Sequence, residues 1–408
     1  EHTMAQELSD HFLATYYIES RQSLREVAET IADIESTGKW LGTGEPTELY
    51  RRCRAEVAEV REVEPGKGEV DILFPIINLN LEDGAFPGLW LTMIGGGTHA
   101  LLAYEKSRLM DFKLPDAVLR AFPGPGFGPA GIRQVLGAEP DELLIGTIVK
   151  PTAGLTPDEV ADICYEAARG GVRFIKDDEK MLNPAYCPLG ERVRKVSEAL
   201  KRAEDETGQS VLYAAHITAN PDRLLQNAEI ALENGATALM VNFFASGFNS
   251  LELLRRNVDP GVPIYAHCGG KEAFGRAAGQ GVDPVAVARF VRLLGGDIFR
   301  VSTLGGYLVG SEPEEVRRLA AVMSEPMGHI QPMMTAVSGG LNPRTLGENL
   351  GVFGSDALML AGTGITTHPM GINAGTTALK QAAAAFQAGV SVDEYAATHD
   401  ELRVALGK

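Results

Sequence analysis

A lysine followed by three acids, Lys176 to Glu179, stands directly after a short apolar stretch in the segment GGVRFIKDDEKM. Asp178 and Glu179 carry the oxygen ligands that Mg²⁺ prefers, but two carboxylates leave most of the coordination shell of the ion unfilled. One interpretation is a buried salt bridge between Lys176 and the acids. The other starts from the readiness of a buried lysine to lose its proton: the neutral amine adds CO₂, and the resulting carbamate is an anion with two oxygens. The spacing alone leaves both interpretations open.

The elements that position these residues repeat along the chain. From about Leu143 onward, a short apolar run alternates about eight times with a helical pattern. Continuous apolar runs are typical of parallel strands that are covered on both faces, and eight strand–helix units match a TIM barrel. A doubly wound sheet is the alternative, but it rarely needs eight successive units. The predicted strands are LLIGTIVKP, RFIKDDE, VLYAAHIT, ALMVNFF, PIYAHCG, IFRVSTLGG, PMMTAVSGG and LMLAGTG.

The first residues of several helices can be predicted from the sequence. A capping residue followed by proline marks a helix start, because the first helical position needs no N–H donor. Thr156 with Glu159 also fits a capping box. The predicted starts are Thr156-Pro157, Asn220-Pro221, Asp283-Pro284 and Asn342-Pro343.

In a TIM barrel the active site lies at the carboxyl ends of the strands. The predicted strands are apolar in their middles and polar at this one end, which predicts an active-site mouth there. Glycine-rich turns after the last two strands favour a phosphate site built from backbone N–H groups, although a tight turn alone gives the same composition. The residues at these ends are Lys150, Lys176, Asp178, Glu179, His216, Asn242, His267, Arg300, Ser302, Thr303, Ser338, Gly339, Gly340, Gly362, Thr363 and Gly364.

The first 120 or so residues have a different pattern. SLREVAETIADIES and THALLAYEKSRLMDF are helix-like, whereas GEVDILFPIINLN is strand-like. The segment AFPGPGFGPAGI, rich in Pro and Gly, is typical of a domain junction. The sequence therefore predicts an α+β domain over residues 1–125, then an α/β barrel domain with a C-terminal helical tail over residues 126–408.

Composition narrows the classes of partner. The net charge of -17 argues against nucleic acid and anionic membranes as partners. The four cysteines, Cys53, Cys164, Cys187 and Cys268, form no zinc-binding or disulfide pattern. The N-terminal residues EHTMAQELSDHF lack the pattern of a signal peptide, and no apolar stretch is long enough to span a membrane. The expectation is a cytoplasmic enzyme.

The chain resembles the large subunit of RuBisCO from about Ile34 to beyond Gly371. The resemblance is carried by GTIVKPTAGL, GGVRFIKDDE, SGG and GTGITTHPMG in their order and distances. It implies a ferredoxin-like N-terminal domain before a TIM barrel, and a carbamylated Lys176 that holds Mg²⁺ with Asp178 and Glu179. It also implies at least a homodimer, in which the N-terminal domain of one subunit covers the barrel mouth of the other. IESTGKW retains part of that covering stretch, in Thr37, Gly38 and Trp40.

Several positions depart from the carboxylases of the family. The lysine that holds CO₂ there is matched by Tyr307, and without it the transition state of carboxylation loses its stabilisation. The resemblance therefore points to the non-carboxylating RuBisCO-like branch. The other departures are Thr152 for a second lysine, Gly97 for an asparagine, Cys268 and Arg300 for phosphate-binding residues, and Glu35 shifted by one place.

The function that the resemblance implies is enediolate formation on a phosphorylated ketose or keto sugar acid, ending in decarboxylation or isomerisation. Mg²⁺ would stabilise the enediolate, and Lys150 or the carbamate would move the proton. His267 is a further candidate catalytic residue, whereas His216, Asn242 and His368 stay undecided. A carboxylase with an atypical site and a catalytically silent family member are the alternatives. The candidate phosphate-binding residues are Arg300, Ser338, Gly339, Gly340, Gly362 and Thr363.

Overall fold

The computed structural model describes residues 9–408. Residues 1–8, part of the segment in which no signal peptide was predicted, lie outside the described residues. The strands, in chain order, are β1 His11–Glu19, β2 Glu56–Glu64, β3 Lys67–Pro75, β4 Lys106–Lys113, β5 Leu144–Ile148, β6 Phe174–Lys176, β7 Leu212–His216, β8 Ala238–Asn242, β9 Ile264–His267, β10 Gly281–Val282, β11 Ile298–Ser302, β12 Met334–Ser338 and β13 Ala357–Ala361.

The α-helices, in chain order, are α1 Leu24–Ile34, α2 Glu48–Cys53, α3 Ala85–Trp90, α4 Asp116–Leu119, α5 Pro129–Leu136, α6 Pro157–Gly170, α7 Leu189–Thr207, α8 Pro221–Glu233, α9 Phe243–Ser246, α10 Asn249–Asn257, α11 Lys271–Gly275, α12 Pro284–Leu293, α13 Pro313–Ser324, α14 Pro343–Phe353, α15 Thr363–Thr366, α16 Ile372–Gln387, α17 Val392–Tyr395 and α18 Asp400–Ala405. Short 3₁₀ or π turns lie at Ile76–Asn78, Leu91–Gly95, Thr98–Ala100, Gly354–Asp356 and Ala396–Thr398. Within residues 9–408, none of the helices is both long and apolar enough to cross a membrane.

The first compact unit comprises the described residues up to Pro123 together with Gly270–Leu293 and Pro326–Ile330. Its sheet has the strand order β10-β4-β1-β3-β2, and β1, β2, β3 and β4 pair antiparallel. With α1 after β1 and α3 after β3, the order of elements is that of a ferredoxin-like domain, as predicted. Every second residue of β1 is buried, from Phe12 to Ile18.

The predicted helix over THALLAYEKSRLMDF is wrong. After a 3₁₀ turn at Thr98–Ala100, the segment continues as β4, which pairs with β1 and buries Leu109 and Phe112. The apolar spacing is helix-like, but pairing with a neighbouring strand overrides local propensity. Leu102, an apolar residue of that pattern, is fully exposed. The predicted strand GEVDILFPIINLN is correct as far as Pro75, and a 3₁₀ turn begins at Ile76.

The second compact unit comprises Gly124–Gly269, Leu294–Glu325 and Gln331–Lys408. Its strands form a closed barrel in the order β11-β12-β13-β5-β6-β7-β8-β9, and neighbouring strands pair parallel. The predicted TIM barrel is therefore correct, and each of the eight predicted stretches overlaps one of these strands. Because the strands are parallel, their carboxyl ends meet at one mouth. α15, α16, α17 and α18 follow the last strand.

The predicted helix starts are also found. Thr156 caps α6 in a capping box with Glu159, and Asn342 caps α14 with Thr345 as its reciprocal partner. α8 and α12 begin at the predicted prolines. The side chain of Asn220 makes no capping hydrogen bond, so proline alone marks that start.

Candidate active site

The inner face of the barrel takes every second residue of each strand, as the pleat requires. Its apolar layer includes Phe174, Ala214, Met240, Tyr265, Ile298, Ala336 and Leu360. Counting two residues further toward the carboxyl end of each strand gives polar residues or glycine: Lys176, His216, Asn242, His267, Arg300, Ser338 and Gly362. Ile148, which packs against the same layer, is likewise followed by Lys150. The alternation thus puts most of the predicted site residues on one surface, called here the mouth.

Lys176 is almost entirely buried at the end of β6. Its Nζ donates to the backbone oxygen of Asp177 at 3.1 Å and lies 3.8 Å from Oε2 of Glu179. Burial lowers the pKa of Lys176; the charge of Lys150 acts in the same direction, while Glu179 and Asp178 oppose it. The ion pair is long, and the net effect is a lowered pKa, which makes the neutral amine easier to reach.

The two predicted metal ligands have different partners. Oδ2 of Asp178 lies 2.5 Å from Nζ of Lys150, and its Oδ1 accepts from the backbone N–H of Lys180 at 2.9 Å. Burial acts to raise the pKa of Glu179, but the charge of Lys176 and a backbone N–H lower it overall. The pKa of Glu179 is thus lowered, and Asp178 is held beside Lys150. Asp178 thus pairs closely with Lys150, whereas Lys176 has only the long ion pair with Glu179.

Asp177, the first of the three acids, faces away from the mouth. It accepts from Nε of Arg192 at 3.2 Å, from the hydroxyl of Tyr213 at 2.8 Å and from the backbone N–H of His216 at 3.0 Å. Asp177 and Arg192 are both fully buried. Asp177 was not among the predicted metal ligands, and the alternation of the strand places it opposite Lys176 and Asp178. Its contacts fix the end of β6 against β7 and α7.

His267 has its ring orientation fixed by two N–H groups. Nδ1 lies 3.2 Å from the backbone nitrogen of Gly269, which donates to it, and 3.2 Å from Nδ2 of Asn242. Nδ1 is thus the acceptor, and the proton of the neutral ring is on Nε2, 3.6 Å from Oε2 of Glu179. Burial lowers the pKa of His267 well below its usual value, helped by the charges of Lys176, His216 and Arg300. The neutral ring presents a donor to the mouth.

The sequence left the roles of Asn242, His368 and His216 undecided. Asn242 orients His267, whereas His368 lies outside the mouth. The ring of His368 bonds the backbone at both nitrogens, with the oxygen of Glu401 at 2.9 Å and the N–H of Met370 at 3.1 Å. These contacts make His368 a structural residue. His216 is buried at the mouth, and burial lowers its pKa to about 4.

The predicted phosphate-binding residues lie at the ends of β11, β12 and β13. Gly339 and Gly340 have φ values of +101° and +93°, which favour glycine. Nη1 of Arg300 lies 3.6 Å from where a Cβ on Gly339 would be, so the guanidinium borders this turn. Gly362 has a φ of -86°, and a Cβ there would meet only ordinary contacts with Ile148 and Lys150. A positive φ therefore does not account for the glycine at position 362.

The donor set at the mouth fits Mg²⁺ only after a change at Lys176. Among residues 9–408, no group of three His, Cys, Asp or Glu side chains is arranged to hold a metal ion. Asp178 and Glu179 supply two carboxylates, and the third side chain between them is a lysine whose neutral form is favoured by burial. A carbamate on Lys176 would complete a set of three anionic oxygen donors, the type of ligand that Mg²⁺ prefers.

Comparison with known proteins agrees with this architecture. The family model described as ribulose bisphosphate carboxylase large chain, catalytic domain, matches residues 130–408, and the model of its N-terminal domain matches residues 3–118. The chain belongs to the RuBisCO large-chain family. It is 36% identical to a 3-oxo-isoapionate-4-phosphate decarboxylase of Rhizobium rhizogenes over 97% of both chains.

Solved structures of the RuBisCO family are similar along nearly the whole chain. The octameric RuBisCO of Pyrococcus horikoshii is 31% identical, with a TM-score of 0.90 over 98% of this chain and 94% of that one. A rubisco-like protein of Burkholderia fungorum is also 31% identical, with a TM-score of 0.87 over 98% of this chain and 99% of that one. The similarity thus extends to carboxylases and to RuBisCO-like proteins alike.

The loop after β11, where the RuBisCO resemblance predicts a departure, lies over the turn after β12. The base of the loop is anchored, since Oγ of Ser302 donates to the oxygen of Val309 at 3.0 Å. Its tip carries Tyr307, which is 80% exposed. A Cβ on Gly340 would lie 2.9 Å from the ring of Tyr307. An aromatic ring therefore borders the candidate phosphate turn.

Proposed function

We propose that this chain is a RuBisCO-like enzyme that forms an enediolate on a phosphorylated ketose or keto sugar acid, and that the reaction ends in decarboxylation or isomerisation. The observation that carries the proposal is the buried Lys176 at the barrel mouth, with a lowered pKa and with Asp178 and Glu179 beside it. A lysine in this state is suited to become a carbamate. The proposed cofactors are Mg²⁺ and the CO₂ held on Lys176.

The carbamate of Lys176, Asp178 and Glu179 would hold Mg²⁺. Bound there, the ion would polarise the carbonyl and hydroxyl oxygens of the substrate and stabilise an enediolate. Lys150 now pairs with Asp178 at 2.5 Å, so its ammonium and the metal compete for that carboxylate. Release of Lys150 from this pair would leave its amine at the mouth, where it faces substrate.

Lys150 and the carbamate oxygen are the two candidate bases for the carbon-bound proton. Lys150 is partly exposed at the mouth, which suits a group that exchanges protons with substrate. His267 suits a different role, because the lone pair of Nδ1 already accepts hydrogen bonds and Nε2 carries a proton. We assign it the donation of a hydrogen bond to the oxygen that gains negative charge.

A phosphate group of the substrate would bind at Arg300 and the two glycine-rich turns. The guanidinium of Arg300 supplies charge, and the turn from Ser338 to Gly340 supplies backbone N–H groups. Gly362 and Thr363 complete the site at the end of β13. Glycine at 362 has no positive φ and no crowded Cβ position, which supports a close approach of ligand there.

The decarboxylase or isomerase outcome is preferred to carboxylation for two reasons. Tyr307 and Thr152 stand where the resemblance places lysines of the carboxylases, and Tyr307 cannot supply the cation that holds CO₂. The relative from Rhizobium rhizogenes is named a decarboxylase of a phosphorylated keto sugar acid. Carboxylase activity with an atypical site is the second candidate, because the chain is also 31% identical to a RuBisCO.

The test is a substrate screen in D₂O with Mg²⁺ and bicarbonate, using phosphorylated ketoses and phosphorylated 3-keto sugar acids. We expect at least one compound to gain carbon-bound deuterium or to release CO₂, and the Lys176→Ala variant to do neither. Incorporation of ¹⁴CO₂ into ribulose bisphosphate would identify a carboxylase instead. If the panel stays inert and Mg²⁺ shows no CO₂-dependent binding by calorimetry, the chain is a catalytically silent family member.

A further inference from the structure

Within residues 9–408, one ring nitrogen of His216 has no hydrogen-bond partner. His216 is the last residue of β7, its side chain is on the inner face, and only 2% of the residue is exposed. The nitrogen without a partner among the described residues is the buried Nδ1. A buried polar atom without a partner costs free energy, so such an atom at a site mouth indicates a ligand.

The hydrogen bonds at the other nitrogen assign the tautomer. Nε2 lies 2.6 Å from Oγ1 of Thr218, and the same oxygen accepts from the backbone N–H of Asn242 at 2.8 Å. Within residues 9–408, the hydroxyl proton of Thr218 has no other hydrogen-bond acceptor, so it is donated to Nε2. Because Nε2 is then the acceptor, the proton of the neutral ring is on Nδ1. Nδ1 of His216 is therefore a hydrogen-bond donor that requires an acceptor.

Lys176 is on the neighbouring strand. In the register of β6 with β7, Lys176 is opposite Ala214, and His216 is the next inward residue toward the mouth. The two groups also interact electrostatically, since the charge of Lys176 contributes to the lowered pKa of His216. A hydrogen-bond acceptor that forms on Lys176 is therefore next to the donor Nδ1–H of His216.

We propose that Nδ1–H of His216 donates a hydrogen bond to an oxygen of the carbamate on Lys176 and stabilises it. The inference rests on the proposed function. In the step itself, the neutral amine attacks the carbon of CO₂, an N–C bond forms, one C–O π bond opens to the carbamate oxygen, and one proton leaves to solvent. The new anion accepts from His216, which remains neutral throughout.

The alternative is that a buried water satisfies Nδ1, in which case His216 has a structural role only. The two cases differ in one property. A donor to the carbamate changes the concentration of CO₂ needed to form it, whereas a water-bonded ring does not. The test therefore measures carbamate rather than turnover.

The experiment uses ¹³CO₂ as the probe, at constant pH without Mg²⁺, followed by chemical trapping and mass analysis of Lys176. In His216→Leu the half-saturating CO₂ should rise about tenfold or more, since a hydrogen bond to a charged group is lost. Thr218→Val removes the hydroxyl that fixes the tautomer and should shift it in the same direction. Thr218→Ser keeps the hydroxyl and is the matched control, with a half-saturating CO₂ near that of wild type.

The outcomes separate this inference from the proposed function. If wild type takes up no label at any CO₂ concentration, both the proposed carbamate on Lys176 and the proposed role of His216 are wrong. If wild type is labelled and His216→Leu and Thr218→Val match it, only the role of His216 is overturned. Should His216→Leu fail to fold, as judged by circular dichroism, the Thr218→Val and Thr218→Ser pair decides by the same measure.

Discussion

Lys176 combines two opposing influences in one side chain. Burial disfavours its ammonium, while Glu179 and Asp178 favour it, and the net effect is a lowered pKa. The two carboxylates that limit this lowering of the pKa are also the ones that would share a metal with the carbamate of Lys176. The position is thus built for a charge reversal, from a cation that pairs weakly to an anion that binds a cation.

This charge reversal gives a pH dependence whose sign is fixed. CO₂ adds only to the neutral amine, and the neutral fraction rises about tenfold per pH unit below the pKa. At fixed dissolved CO₂, we expect the carbamate on Lys176 and the activity to increase with pH. Because the pKa is lowered, the rise should begin at lower pH than for an ordinary lysine. Mass analysis of trapped carbamate across pH measures it.

The controls for this prediction are substitutions at two lysines in the same segment. Lys176→Ala should remove CO₂-dependent Mg²⁺ binding and nearly all activity. Lys180→Ala changes an exposed lysine four residues away and should leave both unchanged. Full activity of wild type in CO₂-free buffer, with no mass added at Lys176, would return this residue to the salt-bridge interpretation.

A second prediction concerns the buried pair of Arg192 and Asp177. Besides Asp177, Arg192 bonds the backbone oxygens of Cys187 and Leu182, each at 2.9 Å. Arg192→Met leaves a buried carboxylate without its cation and should lower the free energy of unfolding by about 3–5 kcal/mol. Arg194→Met, in an exposed pair with Glu198, should change it by less than about 0.5 kcal/mol. Urea unfolding measures both, and equal effects would contradict the structural role.

The separate roles of the acids show where sequence reasoning ends at this scale. Lys176, Asp178 and Glu179 could be predicted because strand ends in a parallel barrel converge on one mouth. The partner of Asp177 could not, since Arg192 is on a helix and its match depends on how α7 packs on the strand. The pairing of Lys150 with Asp178 is likewise a matter of side-chain reach, which spacing does not give.

At the scale of elements, the barrel strands are readable because each is buried on both faces and flanked by capped helices. The N-terminal strands are harder. β2 alternates acidic and apolar residues on an exposed edge, and β4 combines helix-like spacing with strand pairing. Only the neighbours of such a strand decide its structure, so the sequence predicted the class of that domain and misassigned one of its elements.

The glycine-rich turns allow fold and binding to be separated. Gly340→Ala forces a side chain into a φ of +93° and should cost about 1–2 kcal/mol of stability. Gly362→Ala meets no such strain and should change stability by less than about 0.5 kcal/mol. If phosphate approaches Gly362, KM for the phosphorylated substrate should still rise about tenfold, as expected for weakened hydrogen bonds. An unchanged KM in a stable Gly362→Ala would move the phosphate site elsewhere.

For the molecule as a whole, three large apolar side chains of the first compact unit are exposed. Leu41 and Leu102 are 93% and 102% exposed, and Leu91 is 61% exposed. Exposed large apolar residues in one domain are typical of interaction surfaces when they are contiguous. The relative from Pyrococcus horikoshii was crystallised as an octamer. These observations support the prediction of at least a homodimer.

The last prediction tests whether the two subunits of such a dimer share their active sites. In the arrangement implied by the resemblance, the stretch with Thr37 and Trp40 covers the barrel mouth of the partner. Lys176→Ala then disables the site on its own barrel, and Trp40→Ala disables the site on the other barrel. In a mixed dimer of the two variants, one site has both defects and the other has none. Co-expression of the two inactive variants should therefore restore activity, with about one site in four intact when subunits assort randomly. The activity per mole of chain is measured, and light scattering confirms a mass of twice the 43.6 kDa chain.

A mixture of Lys176→Ala with Asp178→Ala is the matched control, because both substitutions are on the barrel and no dimer of them contains an intact site. Restoration in neither mixture, with dimers present, would show that each barrel works with its own N-terminal domain; monomers at micromolar concentration would contradict the assembly itself.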